Sequence, residues 1–230
     1  MKRYLMTKFF LVVILGLWGK HSVYIFEETE VLRRIREEVV IFRPGELRID
    51  SIAQQGAVTA SRILAEAFLL ENRWVREFPI FGGGQSGEPV KVFLRVDNNK
   101  GGLTRNSSEI YKPDWFMAFA NIKDINLVFE NLKPNGIALI NSDAGITIPL
   151  PRSTQKFFVV SARKIAEELG DEIMMNMVML GAFVKATRLL KFSSLIEAIR
   201  KYGFSPEVVE LNIEAARRGY NEVKEYQPSP

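Results

Sequence analysis

The chain contains no cysteine and a single histidine, His21. The first absence excludes disulfides, thiolate nucleophiles, cysteine-ligated zinc and any iron–sulfur cluster held by this chain's own thiolates. If the protein takes part in electron transfer, the metal lies on another chain. The second absence sets aside a Ser-His-Asp relay and a histidine-rich metal site, because His21 sits in the N-terminal segment, away from the glycine-bearing loops. A one-signed charge is also missing: 31 Lys and Arg stand against 27 Asp and Glu, a formal +4 without the clustered basic stripe that nucleic acid requires. No nucleic-acid partner is expected. The apolar run "FFLVVILGLWG", Phe9 to Gly19, falls short of the roughly 20 residues a spanning helix needs. Lys2, Arg3 and Lys8 precede it as in a signal peptide, but Lys20, His21 and Ser22 follow where a small-x-small cleavage site would stand. Residues 1–45 are therefore read as an N-terminal extension, packed on a partner or arising from a misassigned start, with export or membrane anchoring the lesser reading.

What is present is a foldable core. With 230 residues, 47% of them hydrophobic, the chain can build one large domain. "EETEVLRRIREEVV", Glu27 to Val40, places Val31, Leu32, Ile35 and Val39 on one side of an amphipathic helix, and "RPGE" at Arg43 to Glu46 breaks it. From Glu46 strands alternate with helices. "ELRIDSI" reads as a strand, and Ala57 to Leu70 as a helix with Ala60, Ile63, Leu64, Ala67 and Phe68 on one face. "WVREFPI" and "PVKVFLRV" are strand-like runs joined by the glycine loop "FGGGQSGE", and "WFMAFA", "GIALIN" and "KFFVV" supply further strands. A short helix is expected from Asp124 to Leu132. Ser161 is placed to cap a helix that Gly170 ends, and "IMMNMVMLGAFVKATRLL" is apolar almost all round, hence a buried helix. Ser194 with Glu197 suggests a capping box, and Ser205 with Pro206 opens a last helix through Glu222. The pattern predicts a three-layer α/β/α domain over 46–226 with a mixed, largely parallel sheet, antiparallel between Trp74 and Val96, and a disordered tail at 227–230.

Three constellations carry chemistry. The turn Ser51-Ile52-Ala53-Gln54-Gln55-Gly56 joins a strand to a helix, where backbone N–H groups and the helix dipole attract a phosphate. Only Gly56 gives the backbone close approach, so on spacing alone an ordinary turn stays ahead of a ligand loop. The loop carrying Gly82, Gly83, Gly84, Gln85, Ser86 and Gly87 has more glycines than a plain hairpin needs, which favours a ligand or a subunit contact. Asn176, inside the apolar helix, must find a partner because an unsatisfied buried amide costs about 1–3 kcal/mol. It faces either a ligand or a neighbouring loop.

Taken together, "ELRIDSIAQQGAVTASRILAEAF", "FPIFGGGQSGEPVKVFLRV", "MMNMVMLGAFVKAT" and "NIEAARRGYNEV", with "YKPD" and "LKPNG" between them, resemble the γ subunit of pyruvate and related 2-oxoacid:ferredoxin oxidoreductases from about Glu46 to Val223. The resemblance implies the fold of domain III of pyruvate:ferredoxin oxidoreductase and a cytoplasmic complex with α-, β- and δ-type partners. Such a complex converts a 2-oxoacid, pyruvate or 2-oxoglutarate foremost, with coenzyme A and oxidised ferredoxin to acyl-CoA, carbon dioxide and reduced ferredoxin, or runs the reverse carboxylation. Thiamine diphosphate, Mg and [4Fe-4S] clusters would sit on the partner subunits. Gln55, Gly56, Gly83, Gly84, Gln85, Ser86, Gly87 and Asn176 would line a coenzyme A or active-site cleft, and no catalytic residue is expected in this chain. The family commonly reads G-x-G-G-Q-G at the first loop, where this chain has Ser51, Ala53 and Gln54 at three of the glycines. It commonly reads F-G-A-E-R-R-G at the second, where Gln85 and Ser86 replace two arginines and remove charge-assisted phosphate contacts. The alternative expectation is an assembly subunit that binds no ligand.

Overall fold

The computed structural model describes residues 40–82, 87–99, 109–119, 131–142 and 154–226. The expected helix at Glu27–Val40, apart from its last residue, the apolar run before it, the expected helix at Asp124–Leu132, apart from its last two residues, and the tail 227–230 lie outside the described residues.

Among the described residues, seven strands form one sheet in the order β2-β3-β1-β4-β5-β6-β7. Strand β1 (Gly45–Ile52) runs into helix α1 (Ala57–Leu70), which returns the chain to β2 (Trp74–Phe81). β2 and β3 (Pro89–Asp97) are an antiparallel pair across the glycine loop, and β3 inserts antiparallel beside β1. On the other side β4 (Trp115–Ala118), β5 (Ile137–Asn141) and β6 (Lys156–Val160) add parallel to β1. The two-residue β7 (Lys224–Glu225) closes antiparallel against β6. The mixed sheet is as the run pattern predicts. β7 is too short to leave a pattern in the sequence.

The order reverses between β1 and β4, since the chain turns one way after β1 and the other way after β4. In open α/β sheets a crevice opens at such a reversal, beyond the carboxyl ends of the strands. The end of β1, where the turn 53–56 begins, is therefore the natural place for a site.

One face of the sheet carries the main core. Leu47, Ile49, Val92, Leu94, Trp115 and Met117 project onto it. There they meet Ile63, Leu64 and Phe68 of α1, each essentially fully buried and each contributing ~1.5–3 kcal/mol of apolar burial. Helix α2 (Ala162–Glu168), a 3₁₀ turn at Glu172–Met174, α3 (Met175–Thr187), α4 (Phe192–Lys201) and α5 (Pro206–Glu222) complete this layer. Every residue of α3 from Met175 to Val184 is buried, which is why its sequence is apolar all round. α3 crosses α5 glycine against backbone: a Cβ on Gly181 would overlap the Ala216 carbonyl, and one on Gly219 the Val178 carbonyl. The opposite face holds a smaller cluster of Phe116, Ala118, Leu132, Ala138, Ile140 and Phe157.

Two helix starts differ in detail from the sequence pattern. Ser161 does precede α2, but its hydroxyl donates to the Ser142 carbonyl, 3.1 Å away. The first N–H of α2, that of Ala162, instead donates to Oδ1 of Asn141 at the end of β5, at 2.9 Å. The capping box at Ser194 and Glu197 is not formed: α4 begins at Phe192, and the Ser194 hydroxyl donates to Oε1 of Glu71 at 2.7 Å. A partner 123 residues away outweighs the local cap.

At the far end of β1 from the turn, Lys133 Nζ lies 2.8 Å from Asp114 and 3.1 Å from Glu46, and Arg95 holds the other oxygen of Glu46 at 3.0 Å. Partial burial disfavours the charged ammonium, but the hydrogen bonds to Asp114 and Glu46 outweigh it and raise the Lys133 pKa above its ordinary value.

Candidate functional site

The turn after β1 is held by its own side chains. Oε1 of Gln55 accepts from the Ser51 hydroxyl at 3.0 Å and from the Ile52 N–H at 3.2 Å. A backbone N–H can only donate, so that atom is fixed as the amide oxygen. Gln55 is 8% exposed, and its carbonyl end is committed to the turn. The Ala53 N–H donates to the Glu88 carbonyl at 2.8 Å, tying the turn to the start of β3.

Two left-handed residues steer the backbone from the turn into α1. Gly56, at φ 73° and ψ 22°, caps α1 with no side-chain bond, and Gln54 takes φ 77° without being glycine. Gln54 thus keeps a backbone conformation that glycine adopts freely, at a cost of roughly 1–2 kcal/mol. No side chain caps α1, so its first-turn N–H groups lack a side-chain acceptor.

Asn176, in the first turn of α3, packs against this turn. It is 5% exposed, and its Nδ2 donates a long hydrogen bond of 3.5 Å to the Gly56 carbonyl. A Cβ on Gly56 would fall 3.1 Å from Asn176 Cγ and 3.3 Å from its Cβ. Gln55, Gly56 and Asn176 are therefore brought together, although 120 residues separate Gly56 from Asn176. Gly87 is described, at φ 83°; Gly83, Gly84, Gln85 and Ser86 lie outside the described residues.

A cleft of about 340 Å³ opens between the turn, the first turn of α1 and the strand ends that flank the glycine loop. Ala57, Val58 and Thr59 form one wall, Phe81 and Val90 another, and Ile173 of the 3₁₀ turn closes a side. Its mouth is apolar: Phe81 is 57% exposed, Ile173 56% and Ile52 36%. Among the described lining residues the charged side chain is Glu88, half-buried and with no hydrogen bond or ion pair to another described residue. Phe81 and Glu88 were not singled out from the sequence. As the residues bracketing the glycine loop they could have been, since the ends of such a loop border whatever it faces. Ile173 and Thr59 carried no signal. Among the described residues no group of three or more His, Asp or Glu could hold a metal ion, and no helix is long and apolar enough to cross a membrane.

The cleft lies at the carboxyl end of β1 on its β2–β3 side, a concave surface of the kind in which an α/β domain holds a small ligand. Comparison with known proteins places the domain further. The pattern of the pyruvate ferredoxin/flavodoxin oxidoreductase family matches residues 46–222, and the chain belongs to that family, in its gamma-subunit branch. It is 37% identical over 186 residues to the pyruvate/ketoisovalerate oxidoreductases common subunit gamma of Pyrococcus furiosus, covering 79% of this chain and 98% of that one. It is 33% identical over 180 residues to pyruvate synthase subunit PorC of Methanothermobacter thermautotrophicus, covering 78% and 96%. The crystal structure of the pyruvate oxidoreductase subunit PORC from Thermotoga maritima superposes with a TM-score of 0.67 at 31% identity, over 80% of this chain and 99% of that chain. A 2-oxoglutarate:ferredoxin oxidoreductase from Magnetococcus marinus, solved with 2-oxoglutarate, coenzyme A and succinyl-CoA bound, shares the fold at a TM-score of 0.60 and 18% identity, over 78% of this chain and 31% of that one.

Proposed function

We propose that this chain is the gamma subunit of a 2-oxoacid:ferredoxin oxidoreductase complex that carries out coenzyme A-dependent oxidative decarboxylation of a 2-oxoacid, pyruvate or 2-oxoglutarate foremost, or the reverse carboxylation. Thiamine diphosphate, Mg and the [4Fe-4S] clusters belong to α-, β- and δ-type companions, and electrons leave to ferredoxin. A chain without cysteine supplies no thiolate of its own for a cluster. The observation that carries the reading is the cleft that Gly56, the first turn of α1 and the residues flanking the glycine loop share, with Asn176 bonded to Gly56 from α3, within a domain that the family matches over residues 46–222. In this role the chain covers the active-site cleft and contacts coenzyme A, and Gln55 and Asn176 hold the turn that forms the contact surface. The placing of the complex in the cytoplasm follows from the same reading.

The test uses the complex purified with its co-purifying chains. Gln55→Ala and Asn176→Ala are expected to leave assembly intact and to raise KM for coenzyme A several-fold in 2-oxoacid-dependent ferredoxin reduction. Unchanged KM in both variants, with assembly retained, would instead favour a subunit kept for assembly that binds no ligand. The commitment of Gln55 Oε1 to its own turn is the observation on that side.

A further inference from the structure

The chemistry of the cleft narrows what part of the coenzyme it can hold. We infer that it takes the uncharged pantetheine arm and not the phosphates, with Glu88 as the specificity-determining residue; this rests on the coenzyme A reading above. Three observations converge. The cleft walls are mostly apolar, and its exposed rim is Ile52, Phe81 and Ile173. Its volume, about 340 Å³, suits an extended arm with two amides and not the whole coenzyme. The charged group described on its lining is the Glu88 carboxylate, which has no described side-chain partner.

A phosphate brought beside Glu88 meets like charge at partly desolvated distance, with no described lining cation to offset it. An amide meets complementary groups instead. Its carbonyl accepts from the uncapped N–H groups at the start of α1, and its N–H donates to the Glu88 carboxylate. The helix N-terminus, which alone would suit an anion, is thereby paired with an acceptor that selects a neutral ligand carrying both donor and acceptor. The nucleotide phosphates then fall outside this cleft, on the companion subunits.

Titration calorimetry on the intact complex decides this with two probes, pantetheine lacking its thiol and adenosine 3′,5′-bisphosphate. Thr59→Trp, which fills the cleft from the first turn of α1, is expected to weaken the pantetheine fragment at least about tenfold and to move the bisphosphate by less than about twofold. Glu88→Gln, which removes the charge and keeps the shape, is expected to weaken the pantetheine fragment roughly three- to tenfold, the loss of one charge-assisted acceptor. The inference is overturned if Thr59→Trp leaves the pantetheine fragment unmoved, or if Glu88→Gln tightens the bisphosphate while the pantetheine fragment stays the same. Turnover is measured in parallel. A complex without coenzyme A-dependent 2-oxoacid oxidation would refute the broader reading, while the two titrations still decide what enters the cleft.

Discussion

Replacing Gly56 by alanine tests the turn and its long-range partner together. The left-handed backbone at φ 73° costs a residue with a Cβ roughly 1–2 kcal/mol. The new Cβ then sits 3.1 Å from Asn176 Cγ and 3.3 Å from its Cβ, closer than carbon atoms settle, and overpacking of this kind adds about 1–3 kcal/mol. Against this, alanine restricts the unfolded chain and returns about 0.4–1 kcal/mol. The net expectation is a loss of about 2–3 kcal/mol, read from urea unfolding of the purified chain by the midpoint shift at unchanged slope. Asn176→Ala removes Nδ2, the atom nearest the new Cβ, and Cγ, but leaves the contact with the Cβ of residue 176 and the backbone strain. The double variant should therefore be less unstable than the sum of the single ones by about 1 kcal/mol. Gln54→Gly, in the same turn, is the control of opposite sign: its φ of 77° is relieved by glycine, so the variant is expected to be neutral or slightly stabilised. Additive single effects of Gly56→Ala and Asn176→Ala, or a Gly56→Ala variant as stable as the parent, would refute the packing of α3 against this turn.

Gly181→Ala sets two effects against each other. Helix propensity alone predicts a gain of about 1 kcal/mol, but the Cβ would enter the Ala216 carbonyl of α5, a backbone atom that cannot rotate away, so a net loss of at least about 2 kcal/mol is expected in thermal or urea unfolding. Lys133 gives a pH dependence: its folded pKa is raised, so its contribution to stability is complete below the unfolded value and is lost as pH rises through the folded one. Melting temperature followed from about pH 8 to 11 should fall at the alkaline end, and the fall should shrink in Lys133→Met, which has no ammonium to lose.

Local pattern carried the strands and helices because their periodicities are intrinsic to the chain. "ELRIDSI" alternates inward Leu47 and Ile49 with outward Arg48 and Asp50, and the structure places the pairs on opposite faces. The apolar run of α3 is buried on all sides for the reason its composition suggests. What could not be read was tertiary. Ser194 looks like a cap until Glu71 arrives from the end of α1, and Asn176 looks equally like a ligand-facing amide and a core filler until Gly56 is set beside it. No spacing rule connects residues 120 apart. The apolar mouth was invisible for a related cause: Phe81, Ile173 and Ile52 belong to three separate elements, and each taken singly is an ordinary hydrophobic residue.

The turn separates two properties that glycine usually supplies together, a permitted backbone conformation and an open approach. Gln54 retains the first at a cost in strain, and Gln55 secures the path by accepting from Ser51 and Ile52. The second is not retained at Gln54, whose side chain now helps line the cleft. Gln54→Gly is therefore expected to alter what the cleft admits more than how the chain runs, because the turn is held by the Gln55 hydrogen bonds to Ser51 and Ile52, which do not use the Gln54 side chain. With the path fixed, selectivity passes to the side chains around the opening. An apolar-walled cleft whose described charged group is the Glu88 carboxylate is a different recognition surface from a bare phosphate cradle, even when it is built on a strand, turn and helix.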